Sequence, residues 1–104
     1  MTLRLTTTEV ADSDIRDVAT YLATYNPVAA QQFESELWEA FERIRTNPDI
    51  GVLVDGYTES VRFLRVSRRF RKYLIFYCRK DEDSVEVVRI LHGARDLTKL
   101  LADL

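Results

Sequence analysis

Apolar positions along the chain change period twice, and each change marks a change of element. Leu3 and Leu5 alternate with Arg4 and run into Thr6-Thr7-Thr8, the period of a short, half-buried strand. Apolar residues then fall at Ala11, Ile15, Val18, Ala19 and Leu22, one stripe of a helix. Thr6 followed by Glu9 has the spacing of a capping box, with Thr8 as the alternative cap. Asp12, Asp14, Arg16 and Asp17 fill the polar face, and early acids suit the positive end of the helix dipole. Asn26-Pro27 closes this helix and opens another, because proline cannot continue a helix but fits its first turn, with Asn26 as cap. The second stripe is Ala30, Phe33, Leu37, Ala40, Phe41 and Ile44, and it ends at Asn47-Pro48. Two helices so closely joined lie side by side as an antiparallel hairpin.

Residues 48–60 contain Pro48, Gly51 and Gly56 without lasting periodicity and read as a loop, with Val52-Leu53-Val54 packed onto the domain edge. Three strand-like runs follow: Arg62–Ser67, Lys72–Lys80 and Val85–Leu91, the middle one rich in aromatic and β-branched residues. Short connections, including the polar turn Asp81-Glu82-Asp83-Ser84, make them an antiparallel meander. Leu97, Leu100, Leu101 and Leu104 have the spacing of one or two last helical turns. The predicted fold class is α+β: an N-terminal strand, then an antiparallel helix hairpin packed on one face of a sheet that ends in a C-terminal three-stranded meander. The opposite sheet face stays open unless a tail or a partner covers it.

Composition narrows this picture. The 104 residues make one domain, are 46% hydrophobic and 31% charged, and so belong with globular chains. No apolar run is long enough to span a bilayer, and the first residues lack the apolar core of a secretion signal, so a soluble cytoplasmic protein is expected. One cysteine, Cys78, excludes an internal disulfide, and with one histidine, His92, no metal site and no cofactor are expected. The net charge of -2 hides a split: residues 1–60 carry four basic and eleven acidic side chains, residues 61–104 eleven basic and six acidic. One side of the molecule should therefore attract an anionic partner.

Particular runs carry a resemblance. Arg69-Phe70-Arg71-Lys72-Tyr73-Leu74-Ile75-Phe76-Tyr77 resembles the central strand of ParE-type toxins, and the run from Val85 to Leu97 (VEVVRILHGARDL) resembles that family's C-terminal signature at nearly every position. Asn26-Pro27, Ala29-Ala30, Phe33, Ala40-Phe41-Glu42-Arg43 and Asn47-Pro48 are similar to its helix hairpin. The likeness spans almost the whole chain and favours the ParE branch of the RelE/ParE superfamily over the RelE branch. It implies a growth-arresting toxin of a bacterial type II toxin–antitoxin pair of the plasmid-stabilisation kind. Such a toxin is neutralised by a small cognate antitoxin whose C-terminal segment wraps around it. ParE-type members are associated with inhibition of DNA gyrase; RelE-type members cut messenger RNA on the ribosome.

The residues themselves support two chemistries. From Arg62 to Lys80 there are eight cations and no acid, interleaved with Tyr73, Phe76 and Tyr77. Arginine with aromatics suits a protein hot spot and also RNA, while charges on a sheet edge also guard against aggregation. The expected partner-binding set is Arg62, Arg65, Arg68, Arg69, Arg71, Tyr73, Arg89, Arg95, Leu97, Leu100 and Leu101. The leucine-rich tail points to a partner or a dimer. Metal-free RNA cleavage would need a base, an acid and cations converging on one face, and its candidates are Arg65, Tyr77, Arg89 and His92. His92 has a plainer reading, a hydrogen bond around the turn at Gly93. Arg89 interrupts an apolar strand, where a charge needs solvent or a partner. The chain also lacks the basic C-terminal run of the RelE branch. Cys78 reads as an inert thiol, Trp38 as peripheral core, and Arg95-Asp96 as a local ion pair. Binding to gyrase is the leading expectation. Ribosome-dependent mRNA cleavage is the alternative.

Overall fold

The computed structural model describes residues 2–55 and 60–93. The elements run β1 (Arg4–Thr7), α1 (Glu9–Tyr25), α2 (Pro27–Thr46), β2 (Val52–Leu53), β3 (Val61–Arg65), β4 (Tyr73–Asp81) and β5 (Ser84–His92). They form a helix hairpin over a mixed five-stranded sheet of order β1-β5-β4-β3-β2. The predicted meander is β3-β4-β5, antiparallel throughout. β1 pairs parallel to β5, from Arg4 opposite Ser84 to Thr7 opposite Val87.

Two expectations are corrected. Residues 48–60 are not all loop: Val52 and Leu53 pair antiparallel with Phe63 and Arg62 as a two-residue edge strand. Thr6 does not cap α1, because it belongs to β1; Thr8 does, its Oγ1 accepting from the Ala11 N–H at 3.0 Å. The same hydroxyl donates to the Val88 carbonyl, and the Thr8 N–H donates to Val87, so the cap also fastens the helix to β5. Asn26 serves both helices. Its N–H bonds to Leu22 at the end of α1, and its Oδ1 accepts from Val28 and Ala29 at the start of α2. One residue thus turns the chain back on itself, and the helices must lie antiparallel.

Alternation along β4 sends Tyr73, Ile75 and Tyr77 into the helix-side core, with Phe33, Leu37, Ala40, Phe41 and Ile44 of α2 and Ala11 and Val18 of α1. Phe76, Cys78, Val61 and Leu91 form a second buried cluster, with Phe63, Leu74, Val54 and Val88 packed against it. A bulge separates the two halves of β5: Phe76 faces Arg89 and Tyr77 faces Val87, which leaves Val88 as the extra residue. Among the described residues no helix is long and apolar enough to cross a membrane.

Candidate functional site

The connection from β3 to β4 carries the densest charge, and a buried ring positions it. Phe70 is held in the core against Phe33, ring centroids 5.4 Å apart and edge to face. Its N–H bonds to the Ser67 hydroxyl, and its carbonyl accepts from Tyr73. With Phe70 pinned inward, Arg68, Arg69 and Arg71 stand outward. Arg69 returns to α2, bonding Gln32 at 3.1 Å and pairing with Glu36 at 3.3 Å. Arg62, earlier on β3, donates to the carbonyls of Gly51 and Asp49 and so ties the approach to β2. Among the described residues, the side chains of Arg65, Arg68, Arg71 and Lys72 have no hydrogen bond or ion pair.

Arg65, Arg68 and Arg71 line one groove of ≈ 630 Å³, joined by Arg43 of α2, with Ile50, Val52, Phe63 and Leu64 as its apolar lining and Ser67 at its side. Arg43 spends one N–H on the Val66 carbonyl at 3.1 Å. A second cavity of ≈ 580 Å³, lined by Lys72, Leu74 and Gly93, shares Arg65 and Arg71 with the first. Among the described residues no carboxylate lines either cavity. Like charges this dense repel one another and favour occupation by an anion.

The other expected site residues go elsewhere. Tyr77 is 1% exposed. Its hydroxyl donates to the Pro48 carbonyl at 2.7 Å and accepts from the Gly51 N–H at 2.9 Å. Burial pushes its pKa above the usual tyrosine range, against the smaller opposing pull of the Gly51 N–H and Arg62. Tyr73 is buried between Phe33 and His92, whose ring meets it edge on at 5.3 Å. Gly93 donates its N–H to Lys72 at 2.7 Å and so closes the turn beside His92.

Arg89 neither faces bulk solvent nor awaits a partner. It makes a two-pronged bond to Asp14 of α1, at 2.9 and 3.1 Å, with side chains only 13% and 12% exposed. A third bond to Asp14, from the Ile90 N–H at 3.0 Å, satisfies the strand edge that β1 is too short to reach. Arg65, Tyr77, Arg89 and His92 therefore do not converge. One lines the groove, one lies under the loop after α2, one is clamped at the far edge of β5, and one packs on Tyr73. Trp38, read as peripheral core, is instead 65% exposed and lies edge to face on Phe41. Arg95, Asp96, Leu97, Leu100, Leu101 and Leu104 lie outside the described residues.

Sequence reasoning missed Arg43, Ile50, Val52, Phe63, Leu64 and Ser67 as groove residues, and Asp14 as the partner of Arg89. Lone β2 residues in a stretch without period give no local signal. Asp14 looks like any other acid on the wet face of α1.

The fold is a two-layer α+β domain with a paired helix hairpin, a mixed sheet and a cationic groove at one sheet edge. The sequence matches the family model for the ParE toxin of type II toxin–antitoxin systems, parDE, over residues 5–97, and the chain belongs to that family. Among solved structures, the chain is similar to one from the chromosomal ParDE toxin–antitoxin system of P. aeruginosa. That likeness has a TM-score of 0.71 at 16% identity, and covers 88% of this chain and 96% of that one. At that identity the likeness concerns the fold. Among curated proteins none matches the sequence.

Proposed function

We propose that this type II toxin acts in the cytoplasm by binding DNA gyrase and stalling it, and that a cognate antitoxin keeps it silent. The observation that carries the reading is the groove of Arg65, Arg68 and Arg71, charged, lined with apolar residues and, among the described residues, without a counter-ion. Such a surface is made to be occupied. Membership of the ParE family supports an antitoxin as one occupant, and so does the pairing named for the P. aeruginosa system. A hetero-oligomer with the antitoxin would use this surface, and a homodimer another, since two copies of the groove would repel.

Binding is favoured over RNA cleavage by the scatter of the nuclease candidates. General acid–base cleavage needs its groups within hydrogen-bond reach of one ribose and one phosphate. Tyr77 is enclosed by Pro48 and Gly51, and Arg89 by Asp14.

The test is a gyrase supercoiling assay run beside a ribosome-bound mRNA cleavage assay with the purified chain. Expected are inhibited supercoiling and intact mRNA. Cleaved mRNA with unaffected supercoiling would overturn the reading. His92→Ala is expected to leave the inhibition within about twofold, since its ring packs on Tyr73 rather than on the groove.

A further inference from the structure

We infer that the chain pairs with a second copy of itself through the outer edge of β1, antiparallel about a two-fold axis at Thr6. β1 and β2 are the two edges of the sheet, so this surface lies across the sheet from the cationic groove. The inference goes beyond the gyrase reading and does not depend on what fills that groove.

The backbone supplies the first argument. In the parallel pairing with β5, Arg4 donates its N–H to Asp83 and Thr8 donates to Val87. Bonding direction alternates along a strand, so Arg4, Thr6 and Thr8 turn toward β5 while Leu3, Leu5 and Thr7 turn outward. Leu3 is served by α2: its N–H donates to the Arg45 carbonyl, and its own carbonyl accepts from Arg45 Nε. The outward N–H and C=O of Leu5 and Thr7 have no partner among the described residues. An antiparallel second copy sets Leu5 opposite Thr7 and Thr7 opposite Leu5. Two identical edges then make four backbone bonds, closed by one two-fold axis.

Side chains name the occupant. A hollow of ≈ 430 Å³ lies between the start of β1 and α2, with Leu3, Leu5, Phe41 and the exposed Trp38 as its apolar lining and Arg4 and Arg45 as its cations. Glu42 lines it too, but is spent on Arg45. Arg4 is exposed and, beyond its field at Asp81, makes no hydrogen bond or ion pair among the described residues. The far end of β1 carries the complement. Glu9, exposed and equally uncommitted, and Val10, an exposed apolar residue, stand on the first turn of α1. Antiparallel pairing lays the start of one β1 beside the end of the other. Val10 of the second copy then meets the hollow at Trp38, its Glu9 meets Arg4, and symmetry makes each contact twice. An edge that is cationic at one end and anionic at the other complements itself when reversed, whereas a uniformly charged partner such as nucleic acid meets repulsion at Glu9.

The probe is the full chain itself. Sedimentation equilibrium from about 1 μM to about 1 mM should show a reversible rise from one chain to two. Over the same range the emission of Trp38, the one tryptophan of the sequence, should move to shorter wavelength, and exchange of the Leu5 and Thr7 amides should slow. Arg4→Glu and Glu9→Arg should each weaken the dimer at least about tenfold, and the double reversal Arg4→Glu/Glu9→Arg should return it to within about threefold of the parent. Arg68→Glu, in the cationic groove, should leave it within about twofold. Equal unfolding midpoints at the lowest concentration separate lost pairing from lost fold. A chain monomeric throughout, a dimer indifferent to both reversals, or a double reversal no better than either single one would each overturn the inference. So would Leu5 and Thr7 amides whose exchange is slow at every concentration, the result expected if residues 94–104 occupied the edge instead. A chain that dimerises but spares gyrase would remove the gyrase reading and leave this inference standing.

Discussion

Tyr77 shows how one side chain fixes the approach to the groove. Its ring fills the core beneath the loop that follows α2, and its hydroxyl both donates and accepts there. Tyr77→Phe strands the Pro48 carbonyl and the Gly51 N–H, and should cost about 1–3 kcal/mol in urea unfolding. The pH dependence follows from burial. The folded pKa lies above the ordinary value of 10.0, so folding favours the neutral phenol. That contribution is full below pH 10 and is lost as the pH rises through the folded value. Alkaline unfolding of the parent should therefore steepen above pH 10, and Tyr77→Phe should lack this component. Gly51→Ala puts its Cβ 2.7 Å from both the Phe63 carbonyl oxygen and the buried Tyr77 hydroxyl, so the chain leading into β2 must shift. A destabilisation of about 1–3 kcal/mol is expected, read as a lower unfolding midpoint. In this region the sequence announced a tyrosine in a strand and a glycine in a loop. It could not announce that the two touch, since 26 positions separate them.

At the scale of elements, short strands leave edges that helices complete. β1 has four residues and β5 nine, so the later half of β5 lacks a strand neighbour on that side. Thr8 and Asp14 of α1 take over, bonding Val88 and Ile90. Asp14 then holds Arg89 as a nearly enclosed ion pair, in which each charge depends on the other for its solvation. Asp14→Ala removes the carboxylate from a guanidinium only 13% exposed, and should cost about 3–5 kcal/mol in denaturant unfolding. Pairing it with Arg89→Met should recover most of that loss. A double variant as unstable as Asp14→Ala alone would mean that the cost comes from the Ile90 bond instead. The helices, their hairpin and the meander were legible from period, caps and turn residues. β2 was not, because a two-residue strand has no period to read and exists through its pairing with β3.

Across the whole molecule, charge is sorted by layer. The acids cluster in the helical half of the sequence and the cations in the strand half, and folding joins the halves at the pairs Asp14–Arg89 and Glu36–Arg69. The run of eight cations divides on folding. Arg62, Arg69, Arg79 and Lys80 hold the chain to itself, while Arg65, Arg68, Arg71 and Lys72 make no hydrogen bond or ion pair among the described residues. Because these side chains make no hydrogen bond or ion pair among the described residues, substituting them should change stability by no more than about 0.5 kcal/mol per residue. Their effect should appear in association instead. The rate of capture of any acidic partner should fall roughly tenfold or more between low and physiological salt, measured by stopped flow. A rate indifferent to salt would show that the cationic surface does not steer the encounter.

Apart from β2, local chemistry settled the order of elements in this chain: the apolar spacing of each segment, the dual cap at Asn26 and Pro27 after it act over a few residues and need no tertiary partner. The resemblance to ParE-type toxins was likewise written in contiguous runs. What the tertiary structure decided was which of many chemically equal arginines stayed uncommitted. A cation is spent or spared by groups that arrive from distant positions, such as Asp14 on Arg89 or Glu36 on Arg69, and sequence spacing carries no record of those meetings.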